Sequence, residues 1–255
     1  MSRQSSLEAV RARIAALEAP ATPRRRVQAF GDARLDRVFP GGGLPLGRWH
    51  EAGGEGMQIE TAAAAGAFVA ALAAPLAARG TVIWVMRRDD LYAPGLAGLG
   101  FPAERLIQVL VRDEAQAFAA MEDALGCQGV AAAIGEVEGA DLTAGRRLQL
   151  ACEKHGATGF LIRRRSFGGA RQGDGAGSAA ATRWRVAPAP SEPAVGEPGL
   201  GAPRWRVGLD RCRGGRTGSW LMEKRETDDG AHPLRVVAAL GDRQLETPQP
   251  LRRAG

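Results

Sequence analysis

The chain has 255 residues, 45% of them hydrophobic, enough for one sizeable α/β domain with an appendage or for two small domains. Its three cysteines (Cys127, Cys152, Cys212) and three histidines (His50, His155, His232) are scattered and form no CxxC pair, which argues against a disulfide framework and against a metal site. The formal charge is +6, and no uninterrupted apolar run is long enough for a membrane span.

The N-terminal stretch mixes charges with apolar residues at helical spacing and has no signal-peptide core, so the expected location is cytoplasmic. Residues 6–18 read as a short amphipathic helix with Leu7, Val10, Ile14 and Leu17 on one face. At that length it is too short for a coiled coil alone, so the expectation is docking on its own core, with pairing to a neighbouring subunit as the alternative. Pro20, Pro23 and Arg24 to Arg26 end it in a linker.

From Phe30 onward, strands and helices alternate. Trp49–Ala52 reads as a strand and Glu60–Arg79 as a buried, Ala-rich helix stopped by Gly80. Thr81–Met86 is a continuous apolar, β-branched run, hence a buried strand. Then follow strand Leu106–Val111, helix Asp113–Leu125, strand Gly129–Ile134, helix Asp141–His155 and strand Gly159–Ile162. Such alternation implies crossover connections and a largely parallel sheet with helices on its faces, an α/β fold.

The pattern breaks at Ser166. Residues 166–181 are Gly- and Ala-rich and read as a loop. Thr182–Val186 is a strand, and 187–203 is a Pro-rich linker. Arg204–Leu209, Ser219–Glu223 and Arg235–Leu240 are further strands before a polar tail. The expected organisation is a helix and basic linker over 1–26, a core over 27–186, the linker, and a β-rich tail over 204–255. Charge divides along the chain: 14 Arg stand against 17 acidic residues in 1–141, and 20 Lys or Arg against 11 acidic residues in 142–255. The basic half favours an anionic partner such as nucleic acid. Only Lys154 and Lys224 are lysine, however, and that bias, with heavy Ala and Gly usage, fits a GC-rich genome as well.

Gly31 to Ala62 runs from a Gly-rich turn into a strand, a Gly-rich loop and a helix, the layout in which backbone N–H groups and a helix N-terminus cradle phosphate. A working loop reads G-x-x-x-x-G-K-[ST]. Gly54 supplies the first glycine, but Ile59 stands at the second, Glu60 replaces the lysine, and Thr61 keeps the hydroxyl. Ile strongly disfavours the positive φ that glycine allows. One unit charge pair at ~4 Å is worth about 4 kcal/mol at an effective dielectric of about 20, and reversing its sign doubles the swing. An acidic residue in a helix's first turn is also favoured by the macrodipole, so the helix start carries its own carboxylate where a phosphate would sit.

The series Gly31, Leu35-Asp36, Gly42-Gly43-Leu44-Pro45, Gly47-Arg48, Glu51 and Gly54 resembles the opening of the RecA-type ATPase core. Leu96–Phe101 resembles the segment after that fold's second strand. Ala131–Gly139 falls at its Walker B strand, with Glu136 at the carboxylate position. Phe160–Arg165, the Gly-rich loop and Thr182–Val186 resemble the stretch around its second DNA-binding loop, and Arg88 stands where the catalytic glutamate belongs. With the degenerate loop, the Gly135-Glu136-Val137 run followed by Arg146–Ala151, and the Trp/Arg-rich tail, the chain resembles the ImuA family over Leu7 to Glu223.

That resemblance implies a RecA-like core and a role in the damage-induced mutagenic (SOS) response. There ImuA works in translesion synthesis with the polymerase-like Y-family protein ImuB and an error-prone C-family polymerase. It also implies distant similarity to the division inhibitor SulA. The expected function is a non-catalytic accessory protein with no cofactor. The alternatives are a weak ATPase using Thr61 and Glu136 with Mg²⁺, or a SulA-like division inhibitor. Arg163, Arg164, Arg165, Arg171, Arg183 and Arg185 flank the Gly-rich loop and are candidates for single-stranded DNA contact, against a reading as a solvated basic edge. Trp205, Arg206, Arg211, Arg213 and Trp220 are candidates for partner docking, against a reading in which the rings pack in a minor core. Arg146 and Arg147 are expected to face outward.

Overall fold

The computed structural model describes residues 26–56, 58–164, 178–193, 196, 199–225 and 234–240, with backbone alone for 58–60 and 62. The expected N-terminal helix, most of the Gly-rich loop and the polar C-terminal tail lie outside these residues.

Among the described residues eleven strands and four α-helices follow one another, and nine of the strands form a single sheet. A two-residue pair, β1 (Val27–Gln28) and β2 (Leu44–Pro45), brackets the short helix α1 (Ala33–Asp36). Then come β3 (Trp49–Gly54), α2 (Gln58–Ala77), β4 (Thr81–Met86), β5 (Leu106–Leu110), α3 (Glu114–Leu125), β6 (Val130–Val137), α4 (Leu142–His155) and β7 (Thr158–Arg163). Strands β8 (Thr182–Ala189), β9 (Arg204–Cys212), β10 (Gly218–Lys224) and β11 (Leu234–Leu240) complete the series. The sheet order is β11-β10-β9-β8-β3-β7-β6-β4-β5. Pairings from β8 through β5 are parallel and those from β8 to β11 antiparallel.

The local signals in the sequence act where expected. Asp113 caps α3 through Gln116 N and Asp141 caps α4 through Ala144 N (2.9 and 2.7 Å), each satisfying a backbone donor that the helix itself cannot. Gly156, at φ 74°, ends α4. Helix α2 is buried along most of its length, its alanines allowing close approach to the sheet, and it carries Pro75 inside it.

Side chains alternate across the sheet and build two cores. On one face Ala52, Trp84, Ile134, Phe160, Ile162 and Trp184 meet Phe68, Leu72 and Leu76 of α2. Trp184 anchors this core, its ring 5.4 Å from that of Phe68 and 6.0 Å from that of Phe39. On the other face Trp49, Val85, Ala133, Val137 and Leu161 meet α3 and α4.

Strands β9 to β11 pair in series onto β8 and place Trp205, Val207, Leu209, Trp220, Met222 and Val236 in the α2-side core. The strand before the expected linker runs to Ala189, further than the Pro-rich composition indicates, because β9 supplies a hydrogen-bonded neighbour along its full length. Segment 30–40 seals this half: Arg34 donates to Val236 O (2.5 Å) and Arg216 to Arg37 O (3.2 Å). Among the described residues no helix is long and apolar enough to cross a membrane.

His50, fully buried in β3, packs against Phe160 on the α2 side of the sheet. Trp184 Nε1 donates to Thr182 Oγ1 (2.8 Å), Thr182 lies 2.8 Å from His50 Nδ1, and His50 Nε2 lies 2.9 Å from Pro45 O. The arrangement assigns the neutral tautomer with its proton on Nε2, since the carbonyl can only accept. Burial depresses the imidazole from 6.5 to about 4. The unfolded chain therefore binds more protons between those pH values, so this contribution is full above about 6.5 and is lost as pH falls towards about 4. Thermal midpoints should drop over that window by an amount worth roughly 3 kcal/mol at most. His50→Asn should flatten this part of the profile, measured by melts at stepped pH.

Candidate functional site

The loop expected to cradle phosphate lies between β3 and α2. Gly54 closes β3, and α2 starts at Gln58, so Ile59 and Glu60 occupy its first turn, where the orphan N–H groups lie. Thr61 is buried and folds back on Gly54: a methyl group added at Gly54 would sit 2.7 Å from Thr61 Cβ, so only glycine fits. Glu55 N donates to Val186 O at 3.0 Å, fastening the loop to β8.

Glu136 sits near the C-terminal end of β6 on the α2 face, 4% exposed. Trp84 Nε1 donates to its Oε1 at 2.9 Å, and so does Arg164 Nη2 at 2.9 Å. Arg164 Nε stands 2.7 Å from Oε2 as an ion-pair contact, and Arg164 Nη1 reaches Asp90 at 2.7 Å. Burial pushes the Glu136 carboxyl above its usual range against the pull of Arg164, while the charges of Glu136 and Asp90 lift Arg164 in spite of burial. Both carboxylate oxygens are thus engaged by a fixed guanidinium, the position a divalent cation would need.

A second charged cluster lies on the opposite face. Glu51 of β3 meets Arg163 of β7 at 3.1 Å and Arg183 of β8 at 3.5 Å, and accepts from Ser178 Oγ at 3.0 Å. Register explains it, since Glu51 pairs directly with Arg183, and Arg163 lies one diagonal step away on the same face. Of the six arginines read as DNA contacts, Arg163, Arg164 and Arg183 are largely enclosed and bound to carboxylates of the fold. Arg185 is exposed and meets Glu55 and Asp210 at 3.5 and 3.2 Å. Arg165 and Arg171 lie outside the described residues.

Among the residues read as partner contacts, Trp205 and Trp220 are both 3% exposed and belong to the α2-side core. Arg211 donates to Ser178 O. Arg206 and Arg213 are exposed. The structure therefore does not gather these five on one surface patch.

Arg88 lies in a different company. With Arg87, Arg112, Glu136, Glu138 and Arg164 it lines an open cleft of about 200 Å³ where β4, β5, β6 and β7 end. Sequence reasoning singled out neither Arg87 nor Arg112, since only the strand order brings 87–88, 112, 136–138 and 164 together.

The Glu136–Arg164 pair generates a stability prediction. Arg164→Ala should cost about 3 kcal/mol or more in urea unfolding, because it strands a buried carboxylate. Glu136→Leu combined with Arg164→Met should recover most of that deficit, since an apolar pair of similar volume replaces both charges.

No family model matches the chain. Two curated proteins named Protein ImuA, from Caulobacter vibrioides strains NA1000 / CB15N and ATCC 19089 / CIP 103742 / CB 15, are each 55% identical over 234 residues, spanning 90% of this chain and 96% of theirs. Among solved structures, that of the RadB recombinase superposes with a TM-score of 0.52 at 14% identity, covering 83% of this chain and 100% of that one. At that identity the likeness speaks for the fold alone, and the fold is the RecA-like one expected from the sequence. Identity above one half across nine-tenths of the length places the chain in the ImuA family.

Proposed function

We propose that this protein is a non-catalytic accessory subunit of a DNA-damage-induced translesion synthesis complex. It docks an ImuB-like Y-family protein and works beside an error-prone C-family polymerase. The observation that carries the non-catalytic reading is the pairing of Glu136 with Arg164. A RecA-type ATPase needs a carboxylate there that is free to act on a hydrated cation, whereas here a guanidinium covers both oxygens. Glu60 in the first turn of α2 supports the same reading, since the lysine that would meet the phosphates is replaced by an acid. Arg88, standing where a water-activating acid belongs, adds to it. The accessory role itself rests on membership of the ImuA family.

Calorimetric titration of the full chain with ATP–Mg²⁺ should give no heat of binding up to millimolar nucleotide. Micromolar affinity, with the nucleotide seated over residues 54–61 in a soaked crystal, would falsify the non-catalytic reading.

Partner docking is tested by co-purification with the ImuB-like protein. Deleting the chain from Pro203 onward is a poor test, because it strips β9 to β11 from the shared core. Arg206→Glu with Arg213→Glu alters two exposed positions and leaves that core intact. We expect capture by the wild type and weakening by about tenfold or more in the variant, as for a charge reversal at a docking site. Undiminished capture by the variant would exclude these positions, and absence of capture by the wild type would remove the accessory reading.

A further inference from the structure

The cleft at the C-terminal ends of β4 to β7 gathers four arginines, of which two are bound to carboxylates of the fold. Arg164 is bound to Glu136 and Asp90. Arg87 lies 4.0 Å from Glu114 and 3.9 Å from Glu138. Arg88 and Arg112 form no ion pair among the described residues, and both are exposed at the rim.

Their placement follows from strand register. Met86 of β4 is the parallel partner of Leu110 of β5, and Val111 N donates to Met86 O at 2.9 Å. Arg88 is two residues past Met86 and Arg112 two past Leu110, both in the bends that follow the strand ends, and both line the same cleft. Adjacent strands lie about 4.8 Å apart, so the segments leaving β4 and β5 start as neighbours, and like charges lining one cleft repel. An anion between them relieves that repulsion.

The geometry also restricts the ligand. The cleft is open, small and walled by charged groups, with Val137 as its only apolar lining among the described residues. A pocket for an organic cofactor is typically enclosed and apolar. A guanidinium pair at an open rim instead suits a phosphate through paired N–H donors. Tyr92 stands four residues on from Arg88, 74% exposed, in the segment leading from β4 to the outer strand β5, where Gln108 holds Leu91 O. A cationic notch close in sequence to an exposed aromatic ring is the combination that holds single-stranded nucleic acid, phosphates on arginine and a base on the ring.

We infer that Arg88 and Arg112 form a phosphate-binding notch for the backbone of single-stranded DNA, with Tyr92 as a stacking platform. The inference rests on the proposed role at DNA and adds the residues that meet it. They differ from the arginines beside β7 and β8, most of which are already bound to carboxylates of the fold.

The test is fluorescence anisotropy of a labelled oligo-dT 20-mer with the full chain over a range of salt. Arg88→Ala and Arg112→Ala should each weaken binding about three- to tenfold, and should reduce the slope of log K against log salt by about 0.7 for each phosphate no longer neutralised. Tyr92→Ala should weaken binding without changing that slope. Unchanged thermal midpoints are expected for all three, as these side chains are exposed and the two arginines form no ion pairs among the described residues. Arg146→Ala, an exposed arginine on α4, should bind as wild type.

Equal weakening from Arg146→Ala would reduce the effect to a general field and overturn the site. So would wild-type affinity in the Arg88 and Arg112 variants, absence of binding at low salt, or displacement of the oligonucleotide by an equal phosphate concentration of pyrophosphate. Co-purification with the ImuB-like protein, run on the same variants, separates the two readings. Retained capture with abolished DNA binding supports the notch. Abolished capture with retained DNA binding assigns the surface to a protein partner and overturns the notch.

Discussion

A charge taken out of water must meet its opposite, and the C-terminal edge of this sheet is arranged around that requirement. Glu136 on one face and Glu51 on the other are both nearly enclosed, and each draws arginine from a neighbouring strand or from the residue that follows it. An isolated carboxylate at either place would be strongly unfavourable, while a paired and hydrogen-bonded one is tolerated at little net gain. The pairs therefore contribute register more than net stability. Glu51 opposite Arg183 and Arg163 fixes β3 between β7 and β8, and Arg164 ties the exit of β7 to β6 and to the β4 side through Asp90.

The same requirement shapes the chemistry. An ATPase of this fold leaves its acidic group open to a hydrated cation and surrounds the phosphates with lysine and backbone donors. In this chain the acid is already satisfied, and an acidic residue opens α2. On the proposed non-catalytic reading, the sheet edge serves as a set of internal ion pairs in place of a metal–phosphate site. Beside them, Arg88 and Arg112 keep their charge for solvent or for a ligand. Paired arginines hold strands in place, and unpaired ones are available to a partner, a difference that arginine content alone does not reveal.

The antiparallel half has its own logic. Trp205 and Trp220 stand in strands whose inward faces continue the α2-side core past β8. Their burial makes β9 to β11 an extension of the sheet, closed at one side by segment 30–40. The surface these strands offer is made of their outward residues, Arg206 among them, and any docking there reads charge and backbone shape more than aromatic anchors.

Much of this was legible in the chain itself. Continuous β-branched runs such as Thr81–Met86, the capping aspartates Asp113 and Asp141, and Gly156 after α4 mark where elements start and stop, because those signals act within a few residues. Motif spacing located the degenerate loop, since it depends only on which residues follow Gly54. Strand order, by contrast, comes from the global packing of helices across the sheet, and it alone put Arg164 on Glu136, Glu51 against Arg183, and Arg88 and Arg112 in one cleft. An arginine next to a Gly-rich loop reads the same whether its guanidinium faces solvent or a buried carboxylate many residues away. Residue order dictated where each element lies and which side chains it carries. Which charges meet was left to folding, because burial and pairing depend on neighbours that only the assembled sheet brings within a few ångströms.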